Sequence, residues 1–194
     1  MKTALLLLDL QNEMIHADGA VGKHGLAKVV ADRRVIENAA QALHHARSVG
    51  HAVVHVRLGF RDDYADALSR APRIEKLKGE KACIASQWGC EFPAALTPAP
   101  LELVVTKQCV NPFYNTILAA YLARHGIEKL VIGGVVTNLV VEMTARVADD
   151  AGYRVQVLED CCAAPNPAWH EFSTSSMLPM FAELSTTAKY VAGH

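Results

Sequence analysis

The chain has 194 residues, of which 51% are apolar and 20% charged, with a formal net charge of −1. That balance suits one compact soluble domain with a sizeable core, and no shift in composition marks a second, so residues 1–194 read as a single domain. The scattered basic residues exclude the electrostatic footprint of a nucleic-acid or anionic-membrane binder, and the apolar run Ala4–Leu8 is too short to span a bilayer.

No small-residue cleavage site follows that run, which argues against a signal peptide. The five cysteines, Cys83, Cys90, Cys109, Cys161 and Cys162, are odd in number and lack metal-knuckle spacing. Free thiols in a cytoplasmic protein are the simplest reading.

Taken in order, short apolar runs alternate with stretches of helical period, the pattern of a parallel sheet covered on both faces. The expected strands are Thr3–Asp9, Ala52–Arg57, Leu101–Thr106, Lys129–Ile132, Arg154–Glu159 and Ala182–Thr186. Between them, Arg34–Val49 places Val35, Ile36, Ala39, Ala42, Leu43 and Ala46 on one helix face, with Gly50 as its stop. Asn115–His125 repeats the design before Gly126. Thr137 or Asn138 can cap a helix reaching Ala151, and a last helix is expected from Pro167 to about Met180. Strand–helix alternation with right-handed crossovers predicts an α/β fold: a three-layer, doubly wound, Rossmann-like sheet of six mostly parallel strands.

In such sheets ligands bind beyond the carboxyl ends of the strands. Asp9 ends the first strand, Lys107 follows the third, and Gly133–Thr137 follows the fourth, so all converge on one edge. Burial behind four leucines favours the neutral form of Asp9, whereas a nearby Lys107 ammonium favours the carboxylate. A pair of this kind can hold a proton donor or acceptor beside a substrate. The bland alternative is a structural ion pair joining two strand ends, though buried pairs contribute little net stability.

Five segments carry a resemblance that spans nearly the whole chain. Asp9-Leu10-Gln11-Asn12, Ser86-Gln87-Trp88-Gly89, Lys107 with Phe113 and Thr116, Gly134-Val135-Val136-Thr137-Asn138, and Asp160-Cys161-Cys162-Ala163-Ala164 fall in the order found in the isochorismatase-like (cysteine hydrolase) superfamily. The chain resembles that superfamily, in which an Asp, a Lys and a Cys form the catalytic group. The resemblance implies Asp9 and Lys107 as catalytic residues and a cis Val135–Val136 peptide. It also implies that the turn Val135, Val136, Thr137 presents main-chain N–H groups as an oxyanion hole.

The position corresponding to the nucleophile is Val140. A thiol there would sit on the first turn of a helix, where the dipole favours thiolate. Valine has no lone pair, so covalent catalysis by residue 140 is excluded. An apolar corner can still accept an apolar or aromatic ligand, with Trp88 and Phe113 as its expected walls.

Three functions follow from the resemblance and this departure. The first is hydrolysis of a small molecule by water, with Asp9 as acid or base and Lys107 as its electrostatic partner. Isochorismatases, which cleave a vinyl ether without the cysteine, are the superfamily's precedent, although their Tyr-Ala-His is replaced here by Val136-Thr137-Asn138. The second is a catalytically silent member that binds a small molecule or a partner protein. The third is an amidase using a displaced cysteine, with Cys109 the first candidate.

No cofactor or metal is expected. The segment Leu58–Tyr64 lacks the histidine of the superfamily's metal-bearing amidases, and His44-His45, His51 and His55 lack a third ligand. They are expected to be solvated or at helix ends. Arg57 stands at a strand end where it can orient a carboxylate, and Asp62, Asp63 and Asp66 suggest a solvated helix face. By the resemblance, the protein is a homodimer or homotetramer acting on a small molecule.

Overall fold

The structure is a computed structural model and describes residues 1–193. Six strands form one all-parallel sheet in the order β3-β2-β1-β4-β5-β6, where β1 is Thr3–Leu8, β2 Ala52–Leu58, β3 Leu103–Lys107, β4 Lys129–Val135, β5 Arg154–Ala163 and β6 Glu183–Ser185. The strand order reverses beside β1, which pairs with β2 on one side and β4 on the other. That is the switch point at which a doubly wound sheet opens a crevice.

Strand β1 shows why the sheet is buried twice over. Leu5 and Leu7 face one apolar cluster, while Ala4, Leu6 and Leu8 face the other, as the two-residue period of a strand requires. Neither face tolerates a polar side chain, so the run reads as continuous apolar sequence. Burying each leucine contributes about 1.5–3 kcal/mol.

The helices in chain order are α1 Asn12–Ile15, α2 Leu26–Asp32, α3 Val35–Ser48, α4 Pro72–Gly79, α5 Leu118–Arg124, α6 Glu142–Asp150, α7 Pro167–Phe172 and α8 Thr187–Val191. Helices α2, α3 and α8 cover one face of the sheet; α5 and α6 cover the other. Helix α3 buries Val35, Ala39, Ala42, Leu43 and Ala46, five of the six apolar positions its periodicity marks out.

Strands β4 and β5 run further than their apolar composition suggests. Gly133 and Gly134 stay paired with Leu7 and Leu8, carrying β4 to Val135, and β5 reaches Ala163 past a register shift. Gly134 has φ +153° and a Cβ there would run into the carbonyl oxygen of Leu8, so this close passage requires glycine. The expected helix from Thr137 starts instead as a π-type turn, Thr137–Val141, before α6 begins. The last helix likewise breaks into α7, a π turn at Ser173–Met177 and a 3₁₀ turn at Leu178–Met180.

The segment holding Asp62, Asp63 and Asp66 is a turn, which corrects the expected helix face. Asp66 accepts from the Arg61 amide and Asp63 pairs with the Arg61 guanidinium at 3.1 Å, bonds that hold the turn. Among the described residues no helix is long and apolar enough to cross a membrane.

Candidate functional site

The carboxyl edge of the sheet brings Asp9, Lys107, the Val135–Val136 turn and Val140 to one cavity of about 310 Å³. Asp9 leaves β1 with φ 55°, a left-handed conformation that Asp tolerates better than most residues and that turns the chain out of the strand. Its amide is tied to the carbonyl of Val56 at 2.8 Å. Lys107 comes from the end of β3, two strands away, and is 1% exposed, so its ammonium must be satisfied inside the protein.

The ammonium finds two partners. Lys107 Nζ donates to Asp9 Oδ2 at 2.8 Å and to the carbonyl of Cys109 at 3.1 Å. The other carboxyl oxygen, Asp9 Oδ1, is buried and has no protein partner. The nearby Leu58 amide is spent on Gln11 Oε1 at 2.7 Å. Burial pushes the Asp9 carboxyl above its ordinary pKa of 3.8, and the charge and hydrogen bond of Lys107, with the Leu58 amide close by, offset this only in part. The result is a buried carboxyl whose neutral form is favoured relative to water, with Oδ1 free of protein partners.

The remaining walls are almost entirely apolar: Met14, Leu26, Leu58, Ile74, Leu77 and Leu139 join Val135, Val136 and Val140. The Val135–Val136 peptide bond is cis, and the Val136 carbonyl accepts from the amides of Leu139 at 3.1 Å and Val141 at 3.4 Å. Val140 is 2% exposed and packs with Leu8, Val141 and Leu178 in the cluster shared with α6. Cys109 also borders the cavity, its thiol donating to the Asn111 carbonyl at 3.3 Å.

Three expected site residues, Trp88, Phe113 and Thr137, do not border the cavity with their side chains. Trp88 is 45% exposed and meets the His16 ring edge-on at 5.1 Å, and Phe113 stacks with Tyr153 at 6.4 Å; neither borders the cavity. The Trp88-Gly89 loop is instead held by its backbone, whose carbonyls accept from Asn12 Nδ2 and Gln11 Nε2. Thr137 is buried behind the turn, its hydroxyl 2.9 Å from His170 Nδ1. His170 is in turn 3.8 Å from Glu159, which Arg33 grips at 2.9 Å.

Arg57 donates to Thr106 Oγ1 and the Cys90 carbonyl, fastening β2 to its neighbours, and does not border the cavity. The expectation of solvated or helix-end histidines fails for His55. It is fully buried on β2 and lies 3.0 Å from Glu102.

The outer wall, helix α4 and the 3₁₀ turn Gly22–His24, is not singled out by sequence pattern. Its residues at the cavity are His24, Arg73, Ile74, Lys76, Leu77 and Glu80. A signal is present all the same: Pro72 stands at the first helical turn, Glu75 follows it, and Lys76 and Lys78 occupy the last turn. Glu80 gathers basic groups there, with Lys23 at 2.8 Å and His24 and Lys76 each at 3.8 Å. The Lys23 hydrogen bond, reinforced by these charges, holds the Glu80 carboxyl below its usual range.

Fold and site together define a three-layer α/β protein with a buried acid–base pair in an apolar crevice at its topological switch point. The Isochorismatase domain family matches residues 3–189, and the chain belongs to the isochorismatase family. It is 33% identical over 185 residues to the uncharacterized isochorismatase family protein YecD of Escherichia coli O157:H7, covering 94% of this chain and 90% of that one. It is 32% identical to a ureidoacrylate amidohydrolase RutB of Methylorubrum extorquens, over 98% of this chain and 82% of the relative.

Among solved structures, an isochorismatase family protein from Desulfovibrio vulgaris superposes with a TM-score of 0.86 at 26% identity, covering 100% of this chain and 99% of the other. N-carbamoylsarcosine amidase from Thermoplasma acidophilum superposes with a TM-score of 0.75 at 25% identity, over 96% and 97% of the two chains. Of these four, the two that carry a named activity are an amidohydrolase and an amidase.

Proposed function

We propose that this protein hydrolyses a small molecule with water as the nucleophile, Asp9 acting as the acid–base group and Lys107 as its electrostatic partner. The observation that carries the reading is the state of Asp9: buried at the cavity, raised in pKa, and with Oδ1 unpartnered. An oxygen at the cavity that no protein group engages is available to a water or a substrate, which supports the acid–base reading over a purely structural ion pair.

In the proposed reaction, the Asp9 carboxylate takes a proton from water as its oxygen attacks the electrophilic carbon. The resulting carboxylic acid returns that proton to the departing oxygen or nitrogen. The C–O or C–N bond breaks, H and OH are added across it, and the protein is regenerated unchanged. Main-chain N–H groups of the Val135–Thr137 turn are the proposed donors to charge developing on substrate oxygen. Val140 takes no covalent part.

The test is turnover of isochorismate, related vinyl ethers and small amides by purified protein, followed by mass spectrometry. Asp9→Ala is expected to lower turnover by about 100-fold or more, and thiol alkylation to leave it intact. Loss of turnover on alkylation would favour the displaced nucleophile Cys109, the second reading supported by that residue's place at the cavity. Asp9→Ala turning over at the wild-type rate sinks the mechanism, and an absence of turnover throughout leaves the family's silent, ligand-binding alternative.

A further inference from the structure

Four basic side chains border the cavity: His24, Arg73, Lys76 and Lys107. Three have carboxylate partners, since Lys107 pairs with Asp9, and both Lys76 and His24 pair with Glu80. Among the described residues, Arg73 alone of these has no acidic partner and no side-chain hydrogen bond. It stands in the first turn of α4, directly before Ile74 and one helical turn from Leu77, both of which line the same apolar wall. Arg73 is therefore an exposed cation that lines the cavity with no partner among the described residues, while the other charges there are paired.

We infer that Arg73 is the specificity-determining residue of this site, and that the ligand is a small monocarboxylate: an apolar body filling the crevice and a carboxylate held at its mouth by the Arg73 fork. This deepens the hydrolytic reading, because it places the substrate's charged end at α4 and its reacting bond toward Asp9. Arginine suits the role because its planar donors match a carboxylate in two parallel hydrogen bonds. A volume of about 310 Å³ limits the body to a short alkyl chain or a single ring.

The same wall selects a single negative charge. Glu80 borders the cavity as an ionised carboxylate and already occupies Lys23 and Lys76. Either anion meets the like charge of Glu80, but a phosphate dianion brings twice the charge against it with only one uncommitted cation to offset it, so a monoanion is favoured. Uncharged ligands gain nothing from Arg73 and bury only their apolar part.

The experiment measures dissociation constants by ligand-observed NMR titration of the whole protein. The probes are hexanoate against methyl hexanoate, benzoate against benzamide, and hexyl phosphate. We expect each acid to bind about 10- to 100-fold more tightly than its neutral partner, the range of a charge-assisted hydrogen bond. That preference should collapse in Arg73→Ala and invert in Arg73→Glu. Residue 73 is at the surface, so both variants are expected to fold, and circular dichroism is the check.

Equal binding of acid and neutral probe, a preference insensitive to both Arg73 variants, or no binding at all overturns the inference. Tighter binding of hexyl phosphate than of hexanoate overturns the choice of carboxylate. The two readings fail separately. Arg73-dependent acid binding without any turnover removes hydrolysis and keeps this assignment, while Asp9-dependent turnover indifferent to Arg73 does the reverse.

Discussion

Asp9 and Glu102 are both carboxylates drawn out of bulk water beside a basic partner, and the protein treats them in opposite ways. Glu102 is saturated: Arg47 donates to Oε1 at 2.7 Å and to Oε2 at 2.8 Å, and the Ala99 amide and His55 also reach Oε2, at 2.8 and 3.0 Å. Burial alone would raise its pKa, but these bonds from Arg47, Ala99 and His55, with the Arg47 charge, bring it down to about 2. Asp9 has one strong bond and one bare oxygen, and burial prevails. The contrast separates a carboxylate that fastens α3 to the loop before β3 from one that is left with a free oxygen at the sheet's edge, as the proposed acid–base role requires.

The largest effect should come from breaking the Asp9 pair on one side only. Lys107→Met leaves Asp9 without its cation in an apolar crevice and should destabilise the fold by about 3–5 kcal/mol at neutral pH, measured by urea unfolding. Because the lone carboxyl can protonate, that loss should shrink as pH falls. The double variant Asp9→Asn with Lys107→Met should recover most of the stability, since buried pairs contribute little net, yet remain without turnover. A double variant as unstable as Lys107→Met would mean that the pair is structural, and the contrast with Glu102 would collapse.

Glu102→Gln should cost less, about 1–3 kcal/mol, because it weakens charge-assisted bonds without stranding an unpaired charge deep in the core. Its signature lies in pH. The folded pKa of Glu102, about 2, is below its ordinary 4.5, so its stabilising contribution is present above pH 4.5. It is lost progressively as pH falls from 4.5 toward 2. Glu102→Gln should therefore flatten the acid limb of the stability curve across that window. An unchanged limb would show that Glu102 is not the saturated group its bonds describe. Asp9 has the opposite sign: with its pKa raised, the protonated form is favoured by folding, and any contribution it makes is lost as pH rises.

How much of this is legible in the sequence depends on what physics each feature uses. The sheet is, because Leu5–Leu8 is buried on both sides and leaves an unbroken apolar record, and β2 does the same apart from His55. Asp9 and Lys107 are, because strand ends fix the edge at which a parallel sheet binds ligands. The π turn at Thr137–Val141 is not, since its residues fit an α-helical period equally well and only the hydrogen-bond register differs. Trp88 and Phe113 are expected as walls on the strength of aromatic type and motif, but ring type carries no direction; one faces solvent and His16, the other Tyr153. Helix α4 leaves little trace because only Ile74 is buried on it and its charges read as loop. The cavity is thus built from aliphatic residues far apart in the chain, which no local pattern gathers.

The smallest structural change sharpens the comparison from the other side. Val140→Cys removes one methyl group's worth of packing from a well-filled cluster and should cost no more than about 1.5 kcal/mol. Placed in a Cys109→Ser background, the new thiol is the only one bordering the cavity, since Cys83, Cys90, Cys161 and Cys162 are buried and lie outside it. If Asp9 is a working acid–base group, it should accept the proton of this thiol while Lys107 and the N-terminal end of α6 stabilise the thiolate, which iodoacetamide labelling would report as a rate rising at lower pH than for a free cysteine. Appending Asp9→Asn should return the labelling to ordinary thiol behaviour. A thiol at residue 140 that labels as slowly as the buried four, with or without Asp9, would show that the carboxyl's bare oxygen does not act on that corner of the cavity, and the catalytic half of the contrast would lose its support.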